Sequence, residues 1–250
     1  MGDRTLRWEQ FEEAASASPG PELREEVSRE VARTLARLGE LLWVSGYIVG
    51  PDRAAGRSPF GDDATVGFAT VVQVGGELVA GAITLLEREN VYAAAALIRQ
   101  VVEVEYLAWA FSEDRDEAAT WLRSSREERL KFWQPSHVRE RSAGRFRATD
   151  YHRHCESGGH PTPAASCLLP GHSKRTSSSL WWFDLSQHAA SIWTYIERTL
   201  PDLDWPELID SVGKMTNLTE LLERWGRDDP LHMLVARTAD RTNGATHLSH

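Results

Sequence analysis

The sequence predicts an all-α protein, a helical bundle of about seven or more helices. Apolar residues recur every three or four positions through long stretches, the spacing that lines one face of a helix. No segment gives a convincing set of alternating strands. The strongest breakers, among them Gly50-Pro51, Pro135 and Gly158-Gly159, fall between the periodic segments.

Pro21 opens the clearest pattern, in which Leu23, Val27, Val31, Leu35, Leu38 and Leu42 share one face. Gly46 ends it, and the stretch from Gly50-Pro51 to Pro59-Phe60-Gly61 is a connector. Residues 66–86 fit either two short buried strands around Gly75-Gly76 or one helix capped by Asp62-Asp63. The helix is preferred, because the segment from Asn90 or Val91 to Phe111 is strongly helical and needs a neighbour. Glycines 67, 75, 76 and 81 would then let another helix approach closely, each at roughly 1 kcal/mol of helix propensity.

The stripe of the next helix is Leu97, Val101, Val104, Ala108 and Phe111. A following helix is expected from Asp114 through Trp121 and Leu130 to Trp133, stopped by Pro135, and another from Glu140 to about Cys155–Ser157, broken by Gly158-Gly159. A loop of about twenty residues comes next, of a length usually functional, metal-braced or mobile. Ser177–Ser179 cap a helix with the face Trp182, Leu185, Ala189, Ile192 or Trp193, and Ile196. Further starts are expected at Asp204-Trp205-Pro206, at Thr216 or Asn217, and at Asp229-Pro230, with a frayed tail from Arg241. The 250 residues therefore read as a single helical domain, with its core at about 60–165 and C-terminal helices over 178–236 packed on it.

The composition, with 41% hydrophobic and 26% charged residues, excludes collagen-like, disordered and disulfide-framework classes. The net charge of -9 opposes indiscriminate binding to a polyanion. From Arg123 to Arg153, however, nine basic residues face four acidic ones. The opening MGDRTLRWEQ has no charged leader followed by an apolar run, and no uninterrupted apolar run reaches the 18 or so residues of a membrane span. A reducing, cytoplasmic setting without membrane contact is expected, in which Cys155 and Cys167 are free thiols or metal ligands.

The densest polar cluster runs from Arg145 to His172 and admits three readings. In one, Cys155, His160, Cys167 and His172 hold one structural zinc, although Cys-x4-His is an unusual spacing. In the second, Arg153 and His160 act on a phosphodiester: the guanidinium neutralises developing charge while the imidazole moves a proton. Arg147, His152 and His154 belong to the same basic stretch. In the third, His160-Pro161 closes the preceding helix, Tyr151 packs inside, and the arginines are solvated or paired with Glu103 or Glu105. Arg99 and Glu103 sit four apart, and if buried could orient His160 or a phosphate. The sequence lacks G-x-x-x-x-G-K-[ST], G-x-G-x-x-G after a strand, H-E-x-x-H and G-x-S-x-G.

Residues 93–122 resemble the helical core of a widespread, mostly bacterial family of all-helical proteins. Its Arg-x3-Glu helix and later Tyr, Ser-or-Cys and His-Pro positions are matched here by Arg99, Glu103, Tyr151, Cys155 and His160-Pro161. That family distantly resembles the HEPN superfamily, which includes RNA-cleaving defence nucleases with an R-x4–6-H motif. The resemblance implies a HEPN-like core and a metal-independent endoribonuclease that cleaves through the RNA 2'-hydroxyl. Arg153 and His160 would be its catalytic pair, brought together with a second pair in a homodimer. Arg99, Glu103, Arg147, Tyr151 and His154 would support them. The Gly-Gly before His160 departs from the helix that normally holds both residues. The alternative is a noncatalytic helical module that binds a protein partner, braced by the zinc.

Overall fold

The computed structural model describes residues 2–48, 50–171, 178–200 and 218–246, and among these all regular structure is helical. The pattern opened by Pro21 becomes the longest helix. α1 (Gly2–Ser16) precedes it, α2 spans Gly20–Ile48 and α3 (Pro51–Ala54) is one turn in the connector. Every residue of the expected stripe, from Leu23 to Leu42, is buried.

The ambiguous stretch is one helix, α4 (Asp63–Glu87), and Asp62 caps it by accepting from the Ala64 and Thr65 backbone N–H groups at 3.0 and 3.2 Å. α5 (Val91–Glu113) follows after a three-residue turn. By length and composition α4 could cross a membrane, but half of its most apolar window is buried, and it is the helix on which α2 and α5 pack most extensively. Two of its glycines permit close approach, Gly76 that of α2 and Gly67 that of the backbone at Ala118. A Cβ at Gly67 would stand 2.3 Å from the Ala118 carbonyl oxygen, and one at Gly76 would stand 3.0 Å from the Ala36 backbone nitrogen.

Two expected helices are each divided. The segment after Asp114 splits into α6 (Arg115–Arg123) and α7 (Arg126–Phe132), because Ser125 and Glu128 form a reciprocal capping box that starts a new helix. Pro135 does not merely stop α7; it opens α8 (Pro135–Arg141). The helix expected from Glu140 onward is interrupted where Ala143 and Gly144 take positive φ angles of 51° and 89°. It resumes as α9 (Ala148–His154), which widens into a π turn over Cys155–Gly159. The loop that follows contains a 3-10 helix at Pro163–Leu168.

α10 (Ser178–Thr199) crosses α5 and α2 with Leu185, Ala189, Ile192, Trp193 and Ile196 buried, whereas Trp182 is only half-buried. The start expected at Asp204 lies outside the described residues. α11 (Leu218–Asp228) and α12 (Pro230–Thr246) complete the bundle, making twelve α-helices among the described residues. α12 packs back on α1, the helix the periodicity did not announce. One continuous apolar core joins α2, α4, α5, α10 and α11, and a smaller cluster of Val102, Tyr106 and Val138 sits under α8.

Candidate metal centre

α10 is apolar over Leu180–Ile196 except for a few polar positions, among which Asp184 and His188 are four apart and so lie one above the other. Its packing on α5 brings His188 against Glu105, which is itself buried. His188 Nδ1 lies 2.6 Å from Glu105 Oε2.

The third member comes from α9. His154 is its last residue and is buried, held against α5 by the π turn that follows. Gly158 makes that seating possible, since a Cβ there would lie 2.5 Å from the Ala95 carbonyl carbon and from the Ala96 nitrogen of α5. The wide turn closes with the His160 N–H donating to the Cys155 carbonyl at 3.2 Å.

These elements place His154 Nε2 3.3 Å from His188 Nε2. Asp184 lies alongside, with Oδ2 3.4 Å from His154 Nδ1 and Oδ1 3.8 Å from His188 Nε2. One ligand atom from each of the three residues falls within 4.8 Å of the others. A tetrahedral ion with metal–nitrogen bonds of about 2.0–2.1 Å sets its two nitrogens about 3.3 Å apart, so the two imidazoles already have the required separation. Glu105 then occupies the outer position typical of metal sites, a carboxylate that orients a ligating histidine through its other ring nitrogen.

The electrostatics differ sharply between the rings. Burial pushes the His154 pKa down to about 4 against the opposing pull of Asp184, so this ring is neutral at pH 7. Burial acts the same way on His188, but the Glu105 carboxylate, helped by Asp184, outweighs it and raises the pKa above the ordinary value. His188 thus faces Glu105 through Nδ1 and His154 through Nε2. His154 Nδ1 is buried and makes no hydrogen bond among the described residues, because its approach to Asp184 has an ion pair's distance without hydrogen-bond geometry.

The cluster opens into a chamber of about 680 Å³. Asp150, Arg153, Ser157 and Gln187 line it near the cluster, and α1, α10 and α12 supply apolar walls. Arg153 is 65% exposed, with Nη2 3.9 Å from Asp184 Oδ1.

The structure brings together only some of the residues expected from the sequence. Arg99, Glu103 and Tyr151 form a closed triangle: Arg99 Nη1 donates to Glu103 at 2.6 Å and to the Tyr151 hydroxyl at 2.9 Å, and that hydroxyl donates to Glu103 at 2.8 Å. Arg153 stands on the chamber rim, whereas His160 is exposed beyond the π turn, and among the described residues no hydrogen bond or ion pair joins their side chains. Arg147 is exposed at the start of α9. Cys155 and Cys167 are free thiols, and Cys167 Sγ donates to the Ala164 carbonyl at 3.1 Å. His172, the fourth expected zinc ligand, lies outside the described residues. Among those described, the convergent metal-type group is His154, Asp184 and His188 rather than one containing Cys155, His160 and Cys167.

Asp184 and His188 were not legible as site residues, although an Asp-x3-His pair inside an apolar helix is a usable signal. Comparison with known proteins finds no matching family model, no matching curated protein and no matching solved structure, so a functional reading of this chain rests on the chamber and its residues.

Proposed function

We propose that the protein is a metal-dependent enzyme of hydrolytic type, whose centre is a divalent transition metal held by His154, Asp184 and His188. The observation that carries this reading is the 3.3 Å separation of the two Nε2 atoms beside a carboxylate. Two imidazoles and one carboxylate suit zinc, iron or manganese, and His154, Asp184 and His188 would hold such an ion as its three protein ligands. When bound, it would supply a water of lowered pKa, while the Arg153 guanidinium at the rim would offer positive charge to a developing oxyanion. Equilibrium dialysis against zinc should give one ion per chain, with zinc-dependent hydrolysis of an activated ester such as p-nitrophenyl hexanoate. Both should vanish in His188→Ala. A folded wild-type chain that retains no zinc, ferrous iron or manganese at micromolar concentration overturns the reading.

The exposed Arg153 guanidinium favours a second reading, RNA cleavage with Arg153 on the phosphate and His160 moving the proton. It requires no metal. Single-stranded RNA should then be cut in EDTA to 2',3'-cyclic phosphate ends, DNA should survive, and His160→Ala should abolish cleavage; undiminished cleavage by that variant sinks this reading.

A further inference from the structure

The chamber is two-faced. His154, Asp184, His188 and Arg153 concentrate at one part of its lining, whereas Trp8 and Phe11 of α1 and Leu231 and Val235 of α12 line it from other helices. Phe11 and Val235 pack against the main core yet keep exposed surface, and Trp8 is 51% exposed. Trp181 also lines the chamber, 9% exposed.

We infer that the chamber binds a small amphiphile: an oxygen-bearing head, such as a carboxylate, ester or amide carbonyl, at the metal end, and an acyl or aryl body against Trp8, Phe11, Leu231 and Val235. This rests on the metal reading above and adds the ligand class to it. Three features select that class. A volume of about 680 Å³ matches a small molecule and is too small for a folded partner. The positive charge of a metal and of Arg153 suits an oxygen head and disfavours an ammonium head. The remaining wall presents mostly aromatic and aliphatic surface.

The test uses the full chain loaded with zinc and two hydroxamates, acetohydroxamate and octanohydroxamate, which offer the metal the same head. Each methylene buried against the wall tightens binding about three- to fourfold, so even partial burial should make the octano compound at least about tenfold tighter by calorimetry. Val235→Glu, on the α12 wall and not among the ligating residues, should remove most of that advantage while zinc affinity and acetohydroxamate affinity hold. Equal affinities of the two hydroxamates for the zinc-loaded protein would overturn the amphiphile proposal and leave the metal centre standing. A chain that takes up no zinc overturns both.

Discussion

Arg24 and Asp229, 205 positions apart in the chain, meet as a bidentate ion pair with no exposed side-chain surface. The guanidinium donates at 2.7 and 2.6 Å, and its third nitrogen donates to the Ala15 carbonyl at 2.7 Å. Asp229 also accepts from the Trp225 indole and from the Leu231 N–H. One buried pair thus ties the end of α1, the start of α2 and the α11–α12 junction together, and two of these helices, α1 and α12, supply apolar chamber wall.

Breaking this pair from one side should be costly. Arg24→Met leaves a carboxylate buried without its charge partner, at about 3–5 kcal/mol of stability. Urea denaturation should show the midpoint falling in Arg24→Met, with part of the loss recovered when Asp229→Asn is added. Burial alone would raise the Asp229 pKa, but Arg24 holds it below the ordinary carboxylate value. Its stabilisation is therefore present above that ordinary value and is lost as pH falls through the lower folded one.

The two histidines of the centre should give stability a maximum near neutral pH in the absence of metal. His154, with its pKa near 4, binds its proton less readily folded than unfolded, so stability falls as pH drops from about 6.5 to 4, by on the order of 3 kcal/mol. His188 has the opposite sign: its raised pKa contributes stability below about 6.5 that is lost as pH rises through the folded value. Glu105, Asp184, Asp150 and Arg153 are the charged groups acting on the pair. Imidazole titration by NMR should show one depressed and one elevated ring in the wild type and lose the depressed one in His154→Phe; two unperturbed rings in the wild type would contradict the geometry.

Glu105→Gln should keep an acceptor for His188 Nδ1 while removing the charge that orients and polarises the ring. Metal affinity is expected to fall about 10–100-fold, the usual cost of losing an outer-shell carboxylate. The His188 pKa should fall with it. Competition with a zinc indicator measures the first effect and NMR titration the second.

Gly158→Ala should cost more than Gly144→Ala, for different reasons. At Gly158 the new Cβ collides with the α5 backbone, so the π turn and His154 must shift; about 1–3 kcal/mol and weaker zinc binding are expected. At Gly144 the φ of 89° strains any side chain, but no atom of the described residues lies within 4 Å of a Cβ there, so a loss of about 1 kcal/mol should leave zinc affinity unchanged. Paired urea and zinc titrations distinguish the two.

Much of the fold was legible because it depends on local periodicity. The stripe from Leu23 to Leu42 and the cap at Asp62 follow from spacing and from the chemistry of helix ends. α1 escaped notice because its residues are mostly charged or small, with too few apolar positions to define a stripe. The break at Ser124-Ser125 escaped because a capping box competed with a pattern that otherwise continued. In the polar region, the expected cluster mixed residues with separate fates: Tyr151 joins Arg99 and Glu103, His154 turns inward, and His160 faces solvent.

The sequence by itself determined the helical class, most buried faces and the helix boundaries set by proline, glycine and capping side chains, since all of these are interactions within a few residues. Only the tertiary structure decided that His154 meets Asp184 and His188, and that Glu105 stands behind His188. Those meetings depend on how α5, α9 and α10 pack, and that packing is fixed by close approaches such as Gly158 on the α5 backbone. Contacts between residues tens of positions apart leave no periodic trace in the chain, because the energy that selects them is buried area and complementary charge summed over the whole bundle.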